Sequence, residues 1–445
     1  MEADTLERWL DLAQRKQRFP LGQQFEKLSD GADMISLALC GGDGGEGIEG
    51  LNAALRQARA KLGVRGAVNE YEPQGCGALR DWLSAAYRGE EGGSTDPTQL
   101  LLTVGSVEAI DLILRWKIRS GGTVLLETPA SPEVLESIRQ QGGHAIQVPC
   151  DKDGMIIDSL ERQIKMDPPS LVYVTPSYSN PSGRVWSEQR KKELLRLGAQ
   201  YSLLIVEDDS AGAIPFSNYG RRGRNQGEAA EKEAQVQRQT EKPHTLYQLQ
   251  QEGASLYFGA DVIGIGSFQA TAFPSLPVAW IRGSKRVIHV LALIRSALAE
   301  RSKALDQEKA AYEHRLYALL SAPAFSWPAH AARLGAEYAA RRAVVLQQLR
   351  EQAPWQGASY EEPQGGLFLW LRLPPGLCSE ALLRAALPKG AAFMPGARCY
   401  AAGTGVEPDG DAIRLTFAAQ RAARLRQGMA RIAEAIAEFT ARGAG

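Results

Sequence analysis

The chain predicts an α/β fold, a seven-stranded and mostly parallel sheet with helices on both faces, joined to a smaller α+β domain. Three observations predict it. Seven short apolar segments rich in Val, Ile and Leu recur between about residues 100 and 285. Amphipathic helical periodicity fills the gaps between them, an alternation that builds parallel sheets covered on both faces. Beyond residue 350 the pattern changes to two strand-like runs and a closing helix.

The predicted strands are 100–104, 123–127, 145–148, 171–175, 203–207, 262–265 and 278–281. A representative helix covers 107–119, where Ala109, Ile110, Ile113, Leu114 and Trp116 form one apolar stripe. Residues 1–60 read as the N-terminal arm and part of the small domain, with a helical arm over 1–40 running into an extended segment from Met34. Residues 61–315 form the large domain and 316–445 the small one, with strands at 367–373 and 413–417 and a helix from about 419 to 441. Between 219 and 253 the composition turns polar, and we read a solvated excursion, partly helical or disordered, carrying the basic cluster Arg221-Arg222-Gly-Arg224.

Composition excludes several classes. A chain of 445 residues with 44 % hydrophobic and 23 % charged residues buries a large core. Fifty-one basic residues balance fifty-one acidic ones, so no global field draws it to nucleic acid or to a membrane. No apolar run approaches the ~20 residues that a spanning helix needs. Five scattered cysteines without CxxC spacing argue against a disulfide framework or a zinc site, and five isolated histidines against a metal centre. With an N-terminus lacking a signal-peptide pattern, these features predict a cytoplasmic protein. The Gly-rich turn 41–47 lacks both the dinucleotide and the Walker spacing and reads as a plain loop.

The chemistry gathers where predicted strands end. The turn Gly105-Ser106 opens a helix and offers backbone N–H groups and a favourable dipole to a phosphate. Asp208 ends a buried strand, Asn180 sits on a loop fixed by Pro181, and Arg414 lies in a C-terminal strand. Arg414 can fork a ligand carboxylate or pair with a neighbouring one, and Asn180 can meet a ligand or cap its turn. The stretch 261–277 reads as an apolar strand, a Gly266-Ser267-Phe268 turn and a proline-broken loop.

Five anchors in order give these residues a context. They are Tyr71-Glu-Pro-Gln-Gly-Cys-Gly-Ala-Leu-Arg80, Thr103-Val-Gly-Ser106, Thr175-Pro-Ser-Tyr-Ser-Asn180-Pro-Ser-Gly183, Val206-Glu-Asp208 and Ile413-Arg414-Leu-Thr-Phe417. Together they resemble the pyridoxal-phosphate-dependent class I/II aminotransferases of fold type I, especially the aminoadipate-aminotransferase-like branch. The resemblance implies pyridoxal 5'-phosphate as cofactor, with Gly105, Ser106 and Ser267 at its phosphate and Asn180 and Asp208 at its ring. It also implies Arg414 on a small carboxylate substrate and a homodimer in which Tyr71 reaches the partner's cofactor.

The same alignment marks what is missing. The family's Gly-Ser-Phe-Ser-Lys-x-x-x-Pro-x-Leu-Arg reads here Gly266-Ser-Phe-Gln-Ala270-Thr-Ala-Phe-Pro-Ser-Leu-Pro277. Ala270 stands at the Schiff-base lysine and Pro277 at the phosphate-binding arginine. Ser131 stands where a ring-stacking aromatic is expected, and Ala211 where a tyrosine hydroxyl is. An alanine has no amine to form an imine and no proton to shuttle. The expected protein is therefore a degenerate aminotransferase with no confident catalytic residue. The alternatives are an enzyme holding the cofactor non-covalently and the effector-binding half of a regulator.

Overall fold

A computed structural model describes residues 34–38, 72–91, 95–118, 121–212, 243–269, 271–299, 303–323, 325–401 and 408–443. All seven predicted strands form, as β2 (Leu100–Thr103), β3 (Thr123–Glu127), β4 (His144–Val148), β7 (Leu171–Val174), β8 (Leu204–Asp208), β9 (Asp261–Ser267) and β10 (Ala279–Arg282). They make one sheet in the order β2-β10-β9-β8-β7-β3-β4. The pairs from β9 through β4 are parallel, and β10 alone runs antiparallel to both its neighbours. The carboxyl ends of β2, β3, β7, β8 and β9 therefore face one edge, where ligands of open α/β sheets bind.

Helix α1 (Gly77–Glu91) precedes the first of these strands, and α2 (Gly105–Lys117), α3 (Pro132–Gln140), α4 (Ile157–Met166) and α5 (Glu188–Tyr201) lie between them in the chain. A small hairpin, β5 (Cys150–Asp151) with β6 (Gly154–Met155), precedes α4. Most sheet residues are buried on both faces, which is why the strands read as continuous apolar runs and not as alternations.

The end of the polar 219–253 stretch departs from expectation. Residues 243–253 are not a solvated excursion: α6 (Leu246–Glu252) buries Leu246, Tyr247 and Leu249 against the core. Its N-terminal N–H groups at Leu246 and Tyr247 donate to the carboxylate of Glu207 on β8, at 2.7 and 3.1 Å. A helix this short is fixed by tertiary contacts and not by its own propensity. The basic cluster at 221–224 lies outside the described residues.

The C-terminal part holds α7 (Lys285–Ala299), α8 (Lys303–Leu320) and α9 (Trp327–Glu351). A four-stranded sheet follows, in the order β11 (Ser359–Tyr360), β12 (Phe368–Arg372), β15 (Ala412–Thr416), β14 (Met394–Pro395). Helices α10 (Ser379–Ala386) and α11 (Ala422–Gly443) cover it. The N-terminal strand β1 (Ile35–Ser36) pairs in parallel with β13 (Ala391–Ala392), so residues from both ends of the chain share one core.

Candidate functional site

The sheet's carboxyl edge collects the residues singled out in the sequence. Gly105 and Ser106 open α2 after β2, Ser131 precedes α3 after β3, and Asn180 follows β7. Asp208 ends β8 and Ser267 ends β9. Arg414 comes from β15, across the boundary between the two sheets. Tyr71 and Ala270 lie outside the described residues. A cleft of about 540 Å³ lined by Lys117, Lys165, Tyr201 and Asp261 opens at the opposite edge, where strands begin, and is unconnected with these groups.

At one end of the site the geometry suits a ring. Asp208 accepts the Tyr173 hydroxyl at 2.5 Å on Oδ2 and the Ser210 N–H at 2.9 Å on Oδ1. Burial pushes its carboxyl above the ordinary aspartate range, partly offset by the hydrogen bonds from Ser210 and Tyr173. A buried carboxylate of this kind gains from a cationic partner such as a protonated ring nitrogen. Asn180 accepts from Arg414 Nη1 on Oδ1 at 2.6 Å, which links the ring end to the arginine.

Arg414 is wholly buried, and its Nη2 donates to the Ala38 carbonyl at 2.9 Å. Its guanidinium carbon lies 4.7 Å from the Phe368 ring centroid. Glu133, in the first turn of α3, brings a carboxylate oxygen to 3.7 Å from Nη2. Of the two readings left open for Arg414, the structure shows the neighbouring carboxylate, Glu133, beside it.

The other end of the site is filled. Gly105 has φ +71°, and its bare Cα is what would let a phosphate approach. The Gln269 carboxamide covers that face, its oxygen 2.7 Å from where a Cβ on Gly105 would stand. The Val104 N–H at the head of α2 donates to the Glu108 carboxylate at 2.6 Å, and Lys309 Nζ donates to the same group at 2.6 Å. A carboxylate thus takes the helix-terminal position that favours an anion. Lys309 balances the charge of Glu108, so the obstacle to a phosphate there is the Gln269 carboxamide over Gly105 and the Val104 N–H already being taken. Pro277 is buried and brings no cation. Asn180 and Asp208 suit the ring of pyridoxal phosphate, whereas Gln269 and Pro277 do not suit its phosphate.

The loop after β9 has become core. Phe268 packs on Trp280 and Trp327 at centroid distances of 4.8 and 4.9 Å, and Ala272, Phe273 and Leu276 are buried. Gly266 is required on β9 because the Trp280 indole from β10 lies 2.3 Å from where a Cβ would be. Tyr338 on α9 donates its hydroxyl to the Thr271 carbonyl at 2.7 Å. His330 stacks on Phe273 at 5.2 Å, and burial lowers its pKa to about 4, so it is a neutral packing residue. Lys285 is occupied at Asp96, 3.1 Å away. Among the described residues no group of His, Cys, Asp and Glu could hold a metal, and no helix is long and apolar enough to cross a membrane.

Sequence reasoning missed Gln269, Glu108, Glu133 and Tyr173. For the two glutamates a signal existed, since each stands in the first turn of a helix that follows a strand. Gln269 and Tyr173 carry no such signal, because side-chain direction across a turn or between strands is not written in spacing.

Comparison with known proteins agrees with this architecture. Residues 38–211 match the family model for aminotransferase class I and II. The chain is 29 % identical over 340 residues to a 2-aminoadipate transaminase of Thermus thermophilus, covering 76 % of each sequence. It is 24 % identical over 371 residues to an uncharacterized HTH-type transcriptional regulator of Bacillus subtilis, covering 83 % of this chain and 68 % of that protein. Among solved structures, the α-aminoadipate aminotransferase of Thermus thermophilus, complexed with a phosphopyridoxyl-leucine adduct, aligns with TM-score 0.74 and 26 % identity over 92 % of this chain and 93 % of that one. The kynurenine aminotransferase of Pyrococcus horikoshii gives 0.73 and 25 %, over 94 % of each. On its sheet order and these likenesses, the chain has the fold type I architecture and is similar to the class I and II aminotransferases.

Proposed function

We propose that this protein is a degenerate aminotransferase-like protein, one that keeps the fold and the Asn180 and Asp208 positions at the ring but does not perform lysine-dependent transamination. The observation that carries this reading is the Gln269 carboxamide lying on Gly105, next to an alanine in the lysine's place. The losses fall on one ligand: its imine partner, its phosphate arginine and its stacking aromatic are all replaced. A positioned general acid/base alone contributes ~10²–10⁴ in rate, and without the amine the covalent route is absent altogether. Pyridoxal phosphate remains the cofactor implied by the relatives; its retention here is expected to be poor. By the same resemblance we propose a homodimer.

The test is spectroscopic. Purified protein incubated with pyridoxal phosphate and desalted is expected to be colourless and to sediment as a dimer. Ala270→Lys alone is expected to retain little cofactor, whereas Ala270→Lys with Gln269→Ser and Pro277→Arg retains more. A yellow wild-type protein whose colour borohydride fixes to the chain would sink the proposal. The likeness to an HTH-type regulator favours a second reading, an effector-binding role; a salt-sensitive DNA mobility shift would support it, and the balanced charge predicts none.

A further inference from the structure

We propose that Glu133 is an internal surrogate for a carboxylate ligand on Arg414, so that the pocket refuses simple carboxylates and 2-oxo acids while Glu133 is in place. The guanidinium is held by three elements. Asn180 Oδ1 and the Ala38 carbonyl accept from it at 2.6 and 2.9 Å, and the Phe368 ring lies against it. Glu133 Oε1 then stands 3.7 Å from Nη2 and supplies the anion that a buried guanidinium requires.

Glu133 is built for this position. It sits one residue inside α3 behind Pro132, where the helix dipole favours a carboxylate. The Ser131 hydroxyl donates to its other oxygen at 2.5 Å and fixes the side chain's direction. Its side chain is 13 % exposed and that of Arg414 is 0 %, so the pair is poorly screened by solvent. An external carboxylate entering beside Glu133 would set two anions on one guanidinium in a dry site. It must displace Glu133, and Ser131 opposes that displacement. The inference concerns the Arg414 end of the site and does not depend on how the chain treats a cofactor, so its test uses none.

Glu133→Ala leaves a carboxylate-sized gap beside Arg414, and acetate is the probe for it. The variant is expected to melt below wild type in sodium chloride, and sodium acetate at equal ionic strength is expected to raise its Tm saturably, as is pyruvate. Wild type should respond to acetate no more than to chloride. In Glu133→Ala with Arg414→Gln the acetate response is expected to vanish. Glu133→Ser opens the same space while keeping a small polar group, and it serves if the alanine variant does not melt cooperatively. Calorimetric titration of Glu133→Ser with acetate should then give affinity at least about tenfold above wild type, a difference of ~1.4 kcal/mol. An equal acetate response in wild type overturns the proposal, and so does a folded variant that gains nothing over chloride.

Discussion

The phenol of Tyr173 shows how tightly single residues are bound to this site. It is buried, and its hydroxyl donates to Asp208 at 2.5 Å. Burial and the adjacent carboxylate push its pKa well above the ordinary tyrosine value, so it remains a donor at any physiological pH. Tyr173→Phe leaves the ring in place and deletes one hydrogen bond to a charged group, a class worth about 1.5–3 kcal/mol. Urea unfolding is expected to show a lower midpoint with an unchanged slope. A midpoint equal to wild type would mean that Asp208 is adequately served by Ser210 alone. Near the same edge, the Gln269 carboxamide lies against Gly105 and Glu108 accepts the Val104 N–H.

Among the elements, α6 is the most dependent on a single group. Glu207 receives its two leading N–H groups while fully buried, and burial, with Asp209 nearby, pushes the Glu207 carboxyl up to about 7. Above the pKa of the unfolded chain, near 4.5, the native state therefore holds a proton that the unfolded state has released. The contribution is fully present below about 4.5 and is lost as pH rises through about 7. Stability is expected to fall across that window by at most about 1.4 kcal/mol per pH unit and then level off. Glu207→Gln should remove this slope in urea titrations at several pH values, and an unchanged slope would assign it to other groups. A continuous apolar run foretells β8 and an apolar stripe α2, whereas α6 falls in a stretch that reads as a solvated excursion, partly helical or disordered. Only three of its seven residues turn inward, and seven residues are too few to set a helical period against a polar background.

Over the whole molecule, Arg414 and the β1 strand join the parts. Arg414 reaches from β15 to Asn180 and Glu133 of the large sheet's edge and to Ala38 near the start of the chain. The Ala130 N–H and the Gln147 side chain both donate to the Cys399 carbonyl, at 2.9 and 3.0 Å, adding ties between the two sheets. Ile35 on β1 is fully buried against the C-terminal core, where its methyls meet Gly428 of α11. Ile35→Ala is expected to cost about 2–5 kcal/mol, the range for emptying a packed core site. A loss well under ~1 kcal/mol by urea unfolding would show that β1 is dispensable to the lobe it enters.

The fold was legible from residues alone because buried parallel strands and amphipathic helices leave periods that a sequence records. Seven strands, their alternation with helices, the places of Gly105, Asn180, Asp208 and Ser267 at or after strand ends and of Arg414 within a strand followed from those periods and from ordered motifs. The alanine at 270 and the proline at 277 were equally plain, since which residue stands at a position needs no coordinates. What filled the space was not legible. Gln269 over Gly105, Glu108 on the Val104 N–H and Glu133 beside Arg414 are encounters between residues up to 281 positions apart, decided by rotamer, turn geometry and how two sheets meet. Spacing along a chain carries no record of those directions, which only the tertiary structure decides.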